Sequence, residues 1–176
     1  MNINKYIKEI ETLPVGLCDD IISMFKNDTA WKKADVLGGD KIEDHSIIRN
    51  CEKNNFSHHR NIDDVIFQFI SIAIKKYAEE LPALTLNKDT GYEILKYEVG
   101  GFYVQHIDQA PNIPRIVSCS ILLNDNFEGG EFLFDGEYKV KQTKGAGLFF
   151  PSSYAFPHEI LPITKGIRYS IVTWFV

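Results

Sequence analysis

The chain has 176 residues, 44% of them hydrophobic and 24% charged, which is the composition of a soluble globular protein forming one domain with a real core. Its formal net charge of −5 leaves no basic field for a nucleic-acid backbone, and Cys18, Cys51 and Cys119, without any CxxC spacing, argue against a disulfide framework or a zinc–cysteine site. No apolar run is long enough to span a bilayer and residues 1–6 hold no apolar leader core, so a cytoplasmic protein with reduced thiols and no membrane partner is expected.

Residues 18–27 read as a short helix with Asp19 and Asp20 in its first turn. Residues 31–60 are polar and irregular, with short strands predicted at 34–37 and 46–49 around a turn at Gly38-Gly39-Asp40. Residues 62–81 give the strongest helix. Ile62, Val65, Ile66, Phe69, Ile70, Ala73, Tyr77, Ala78 and Leu81 recur every three or four positions. Asn61 is its expected N-cap, Asp63 and Asp64 suit the positive end of the helix dipole, and Pro82 stops it. The broad apolar face needs a sheet to pack against. From Gly91 onward short strands are expected near 92–99, 102–108, 116–124, 131–134, 137–142, 146–150, 158–163 and 168–176. Turns at Gly100-Gly101, Gly129-Gly130, Gly136, Gly145 and Gly166 separate several of them. So many short strands predict a jelly-roll or barrel, with the N-terminal helices buttressing one sheet.

His106-Ile107-Asp108, the distant His158, and then Arg168 and Ser170 are the residues that carry chemistry. Two imidazoles and a carboxylate are the donors that hold a non-haem Fe(II) on one face. With five His and 24 acidic residues in the chain, a single His-x-acid triplet arises by chance. Strand parity gives it weight, because positions i and i+2 of a strand face the same way. Arg168 and Ser170 likewise share a face with Val172 and Trp174, and a buried arginine there needs an anion. A small dicarboxylate co-substrate suits that pair; an internal acid or a solvent-reaching guanidinium is the plainer alternative. Tyr103 has the opposite parity from His106 and should face away from the metal donors, or contact the substrate if the strand twists, and ranks below Tyr97. His45, His58 and His59 read as surface residues, and Arg49 as a solvated arginine or a substrate contact. Trp174 and Phe175 read as core, Gly129-Gly130 as a turn, and Glu131 as a cap of that turn in preference to a substrate contact.

The run from Tyr97 to Asp108, Tyr-Glu-Val-Gly-Gly-Phe-Tyr-Val-Gln-His-Ile-Asp, resembles the first metal motif of the 2-oxoglutarate- and Fe(II)-dependent dioxygenases, prolyl 4-hydroxylase-like branch. Leu122-Leu123-Asn124, continuing to Gly129-Gly130-Glu131-Phe132, is similar to the middle of that family's barrel. Pro157-His158 through Arg168-Tyr169-Ser170 is similar to its second metal motif and co-substrate strand. The likeness covers roughly residues 91–176; before them only the segment from Leu13 to Ile22 is similar to such enzymes' opening loop and helix.

The resemblance implies a single α+β, mainly β domain over 1–176. Residues 91–176 would form a double-stranded β-helix of the jelly-roll or cupin type, and residues 1–90 its helical support and variable substrate side. It implies Fe(II) held by His106, Asp108 and His158, and 2-oxoglutarate anchored by Arg168 with a hydrogen bond from Tyr97 and help from Ser170. O2 would be the oxidant, ascorbate the reductant, and succinate and CO2 the co-products. The implied reaction is hydroxylation of an unactivated C–H bond, with peptidyl proline as first substrate and a free amino acid or another protein side chain as alternatives. The protein would be a monomer or homodimer. A non-catalytic cupin-like metal- or ligand-binding module is the alternative of a different class. Asp108 argues against an iron halogenase. Arg168 is the last Arg or Lys of the chain, whereas DNA-repair demethylases carry a second arginine after it. The chain departs from prolyl 4-hydroxylases in having Arg168 where a lysine is common, and Leu122 where some relatives place a polar co-substrate contact.

Overall fold

In the computed structural model, which describes residues 3–36, 45–57 and 59–176, two antiparallel sheets face each other and two helices cover the outside of the larger one. The strands in chain order are β1 (Lys8–Glu11), β2 (Lys32–Lys33), β3 (Arg49–Asn50), β4 (Glu52–Asn55), β5 (Glu93–Tyr97), β6 (Phe102–His106) and β7 (Val117–Leu122), then β8 (Glu128–Gly129), β9 (Phe132–Phe134), β10 (Tyr138–Val140), β11 (Ala146–Pro151), β12 (His158–Ile160), β13 (Ile163–Lys165) and β14 (Arg168–Phe175). The helices are α1 (Val15–Phe25) and α2 (Arg60–Glu79). The larger sheet runs β1-β11-β7-β14-β5-β4-β2, the smaller β10-β9-β12-β6-β3, and β13-β8 form a separate ribbon.

Parity along the central strands builds the layers. Val117, Cys119 and Ile121 of β7 join Ile94, Phe149 and Ile171 in a core shared with Ile21, Phe25, Ile66, Ile70, Ala73 and Tyr77 of the helices. Each such fully buried apolar side chain contributes about 1.5–3 kcal/mol. Tyr77 stacks on Phe149 at 5.7 Å and donates its hydroxyl to the Tyr6 carbonyl at 2.8 Å. A second core lies between the sheets, where Leu95, Tyr97, Leu148 and Phe150 meet Tyr103, Phe132, Phe134 and Ile160. No helix among the described residues is long and apolar enough to cross a membrane.

The helix ends differ from their sequence expectations. α1 begins at Val15 with Pro14 at its N-cap, so Asp19 and Asp20 fall past the first turn. Its buried face is Cys18, Ile21 and Phe25. α2 begins at Arg60 with His59, not Asn61, at the N-cap; Asp63 stays in the first turn and Asp64 leaves it. The helix ends at Glu79, shortly before Pro82. The predicted strand at 34–37 is replaced by the short β2 just before it, and 46–49 becomes a 3-10 turn (His45–Ile47) followed by β3. The turn at Gly38-Gly39-Asp40 lies outside the described residues. β1 and β4 were not expected: both are short, highly charged or polar edge-side strands with no apolar alternation to mark them. The expected strands 131–134 and 158–163 are bracketed by the extra ribbon, since Leu161-Pro162 breaks the second into β12 and β13.

Candidate metal and co-substrate site

His106 is the last residue of β6 and His158 the first of β12, and the two are cross-strand partners. Asp108 follows His106 closely as the chain leaves the sheet. One donor atom from each of the three lies within 4.8 Å of the others. The His106 Nε2 is 3.6 Å from Asp108 Oδ1, and the His158 Nε2 is 3.6 Å from Asp108 Oδ2. The second ring nitrogens decide what those Nε2 atoms can do. His106 Nδ1 is 2.9 Å from the Val104 carbonyl, and His158 Nδ1 is 3.1 Å from the Phe156 carbonyl. A carbonyl only accepts, so each Nδ1 carries the proton and each Nε2 presents a lone pair toward the carboxylate. Two lone pairs and an anion converging on one point fit a divalent cation, and this donor set suits non-haem Fe(II).

The protonation states agree with that fit. Burial alone would push the Asp108 carboxyl up. His158, His106 and the Ser118 hydroxyl outweigh burial and hold it well below the usual carboxylate range. Burial pushes His158 down to about 4 against the pull of Asp108. At neutral pH the aspartate is therefore charged and the imidazole neutral, the forms a cation needs. Ser118 Oγ donates to Asp108 Oδ2 at 2.6 Å and shares a hydrogen bond with Ser152 Oγ at 2.8 Å. Phe134 and Phe150 pack on His158, with ring centroids 5.6 and 4.6 Å away.

Arg168 opens β14 in register with Tyr97 of β5. It is 1% exposed. Its Nη1 donates to Ser170 Oγ and its Nη2 to Gln142 Oε1, both at 2.8 Å. The Tyr97 and Phe132 rings lie 5.5 and 5.8 Å from its Cζ. Among the described residues no carboxylate forms an ion pair with it. Burial lowers its pKa, and the groups that pull the other way are the weak acids Tyr97 and Cys51. A buried guanidinium without an anion is unfavourable by several kcal/mol. One cavity of about 440 Å³ is bordered both by this guanidinium and by His106, Asp108 and His158. Val172 and Trp174 line it as well, so the even-numbered face of β14 is the cavity face.

Comparison with known proteins gives this geometry its context. Residues 92–176 match the model of the 2OG-Fe(II) oxygenase superfamily. That span is a little under half of the chain, and over it the chain is similar to that superfamily. A PKHD-type hydroxylase of Alteromonas mediterranea is 34% identical over 92 residues, which are 45% of this chain and 40% of that protein. The chain thus spans less than half of that curated relative. Among solved structures, a Pseudomonas putida prolyl-4-hydroxylase superposes with a TM-score of 0.76 at 22% identity, covering 97% of this chain and 92% of the other. A Trichoplax adhaerens prolyl hydroxylase, solved with a hypoxia-inducible-factor peptide fragment, gives 0.78 at 16% identity, covering 97% and 83%. These likenesses establish the fold as the double-stranded β-helix of the prolyl hydroxylases, with the helical support expected from the sequence.

Several residues stand elsewhere than parity or composition indicated. Tyr103 does not face away from His106: their rings stack with centroids 3.5 Å apart and planes 16° from parallel. The cause is a β-bulge. His158 pairs with His106 but Ile160 pairs with Tyr103, so β6 carries one extra residue and the parity inverts between Tyr103 and His106. Trp174 is not core; it is half-buried in the cavity wall beneath the Arg115 guanidinium, 3.5 Å from its ring. Phe175 is core. Arg49 is not freely solvated: it lies 4.6 Å over the Tyr103 ring and donates to the Asp35 carbonyl at 2.9 Å and the Cys51 thiol at 3.2 Å. His59 packs edge-on against Phe25 at 4.9 Å. His45 begins a 3-10 turn, and His58 lies outside the described residues.

Tyr97 is fully buried, its hydroxyl set against the Cys51 thiol and its pKa raised by that burial. Ser170 is buried and accepts from Arg168. Gly129 sits at φ +80°, where a Cβ would also overlap the Pro162 carbonyl. At Gly130 a Cβ would stand 3.0 Å from Arg168 Cδ, so this glycine makes room for the arginine stem as well as the turn. Glu131 is structural through its backbone, accepting from Leu161 N at 3.0 Å. Sequence reasoning missed Ser118, Ser152, Arg115 and Gln142. Parity along Val117–Leu122 marks Ser118 as facing away from the helices. No sequence signal marks Gln142.

Proposed function

We propose that this chain is an Fe(II)- and 2-oxoglutarate-dependent dioxygenase that hydroxylates a prolyl residue of a peptide. The observation that carries the reading is Arg168: a buried cation with no carboxylate partner among the described residues, bordering the same cavity as three convergent metal donors. In this reading His106, Asp108 and His158 hold the iron. Bound there, Fe(II) supplies the O2 chemistry that couples decarboxylation of 2-oxoglutarate, to succinate and CO2, with insertion of one oxygen atom into a C–H bond.

The protein's own residues do the rest. Arg168 offers two N–H donors and a full charge to the distal carboxylate, while Ser170 and Gln142 hold its plane. Tyr97, register partner of Arg168, walls the same end of the cavity. Ser118 fixes the Asp108 carboxylate. Phe134 and Phe150 exclude water from the back of His158. A peptidyl prolyl substrate is supported by the fold shared with a prolyl hydroxylase solved with a peptide fragment. Cys18, Cys51 and Cys119 are all buried and unpaired, which suits the reducing cytoplasm.

The test is succinate release, with ascorbate as reductant, from a panel of proline-containing peptides and free amino acids, with mass spectrometry for a gained oxygen. Peptide-dependent succinate with one added oxygen on proline supports the proposal. Oxygen gained only by a free amino acid shifts the substrate class, and no succinate under any condition overturns the enzyme reading. His106→Ala or Asp108→Ala should bring turnover to the level seen without enzyme while the protein stays folded. Full turnover in His158→Ala would refute the ligand set.

A further inference from the structure

Arg168 borders two cavities. Beside the one that holds the metal donors is a second, of about 270 Å³, lined by Leu122, Phe127, Gly130, Glu131 and Gln142 among others. Gln142 borders only the second, so it stands on the side of the guanidinium away from the metal donors. Its Oε1 accepts from Arg168 Nη2 at 2.8 Å, and its Nε2 donates to the Ser120 carbonyl at 2.7 Å. A guanidinium only donates and a carbonyl only accepts, so this amide has one possible orientation. With Ser170 on Nη1, the guanidinium is clamped by two acceptors.

Both acceptors are neutral. A carboxylate at position 142 would make the same hydrogen bond and cancel the charge that a co-substrate carboxylate has to find. The second cavity also carries Asp125 and Glu131 against Lys141, with Glu128 paired to Lys165 at 2.9 Å, so its own acids oppose an anion there and favour the side of the metal donors.

We propose that Gln142 is a positioning residue for the co-substrate anchor: it holds Arg168 forward without neutralising it, and thereby sets both the affinity for 2-oxoglutarate and the length of 2-oxo diacid accepted. This rests on the reading that Arg168 receives the distal carboxylate. Removing the Gln142 side chain joins the space behind the guanidinium to the second cavity and lets the anchor retreat, which makes room for a longer diacid.

The test is calorimetric titration of the anaerobic Fe(II)-loaded protein with 2-oxoglutarate and with 2-oxoadipate, one methylene longer, alongside steady-state turnover. Gln142→Glu keeps the volume and should weaken 2-oxoglutarate by at least about 10-fold in Kd and KM, the worth of one charge-assisted interaction, with kcat at saturation unchanged. Gln142→Ala should shift the ratio of the two affinities toward 2-oxoadipate by about 10-fold, the discrimination one methylene provides. Unchanged binding in Gln142→Glu, or a fall in kcat with KM unmoved, overturns the proposal while leaving the parent reading intact. Absence of 2-oxoglutarate binding to the unaltered protein overturns both.

Discussion

At the scale of single residues, the site depends on how few choices its hydrogen bonds leave. The backbone carbonyls of Val104 and Phe156 fix which nitrogen of each histidine is free, and Ser118 fixes the rotation of the Asp108 carboxylate. Ser118 sits on β7, in the sheet opposite the histidines, so it ties the metal donors of one sheet to the other. Replacing it removes a donor from the carboxylate of buried Asp108 and leaves the Ser152 hydroxyl without its partner. Ser118→Ala should therefore weaken Fe(II) or Mn(II) binding by about 10–100-fold, the usual effect of losing an outer contact to a metal ligand. An anaerobic metal titration measures it, and affinity equal to that of the unaltered protein would remove Ser118 from the site. The same variant should lose about 1–3 kcal/mol of metal-free stability by urea denaturation.

At the scale of elements, α2 and the β6 bulge do opposite jobs. α2 buries Ile66, Ile70, Ala73 and Tyr77 against the larger sheet, and none of its described side chains lines the cavity. Ile70→Ala should lower the unfolding free energy by about 2–5 kcal/mol through lost burial and the cavity left behind. Its 2-oxoglutarate KM should match the unaltered protein's whenever the variant is folded, and a large KM change would mean that α2 shapes the site directly. The helix could be read from the sequence because a period of three and four repeated over many residues is a strong signal. Its start could not, because Asn61 is the better capping residue and yet His59, packed on Phe25, takes the N-cap. The long strands could be read from glycine turns and apolar alternation, whereas β1 and β4 have too few buried residues to show any. In the site, the donors that parity brought to one strand end do converge. Tyr103 was misplaced because a bulge adds a residue that alternation cannot count. Gln142 was invisible because its value lies in meeting an arginine from a distant strand.

At the scale of the whole molecule, the layers divide stability from chemistry. The helix-side core is apolar apart from Thr173, buried between Ile171 and Phe175 on one strand face, while the space between the sheets contains a charged arginine, an aspartate and two histidines at the cavity. Arg168 is the sharpest case of this division, for the fold holds it buried between two neutral acceptors and two aromatic rings. Arg168→Met gives up two charge-assisted hydrogen bonds of about 1.5–3 kcal/mol each but removes a desolvation penalty of similar size. The two nearly cancel, so the ligand-free variant should unfold close to the unaltered protein, with about 2–4 °C for each kcal/mol of difference in a chain of this size. Adding 2-oxoglutarate should separate them. At a concentration of 100 Kd it stabilises the unaltered, metal-loaded protein by about 2.7 kcal/mol, and the variant, lacking the anchor, gains little. A scanning calorimetry series with and without 2-oxoglutarate reads both effects. A variant that unfolds more than about 10 °C lower without ligand would mean that the guanidinium serves the fold itself, and an equal ligand shift in both proteins would mean that the anion binds elsewhere.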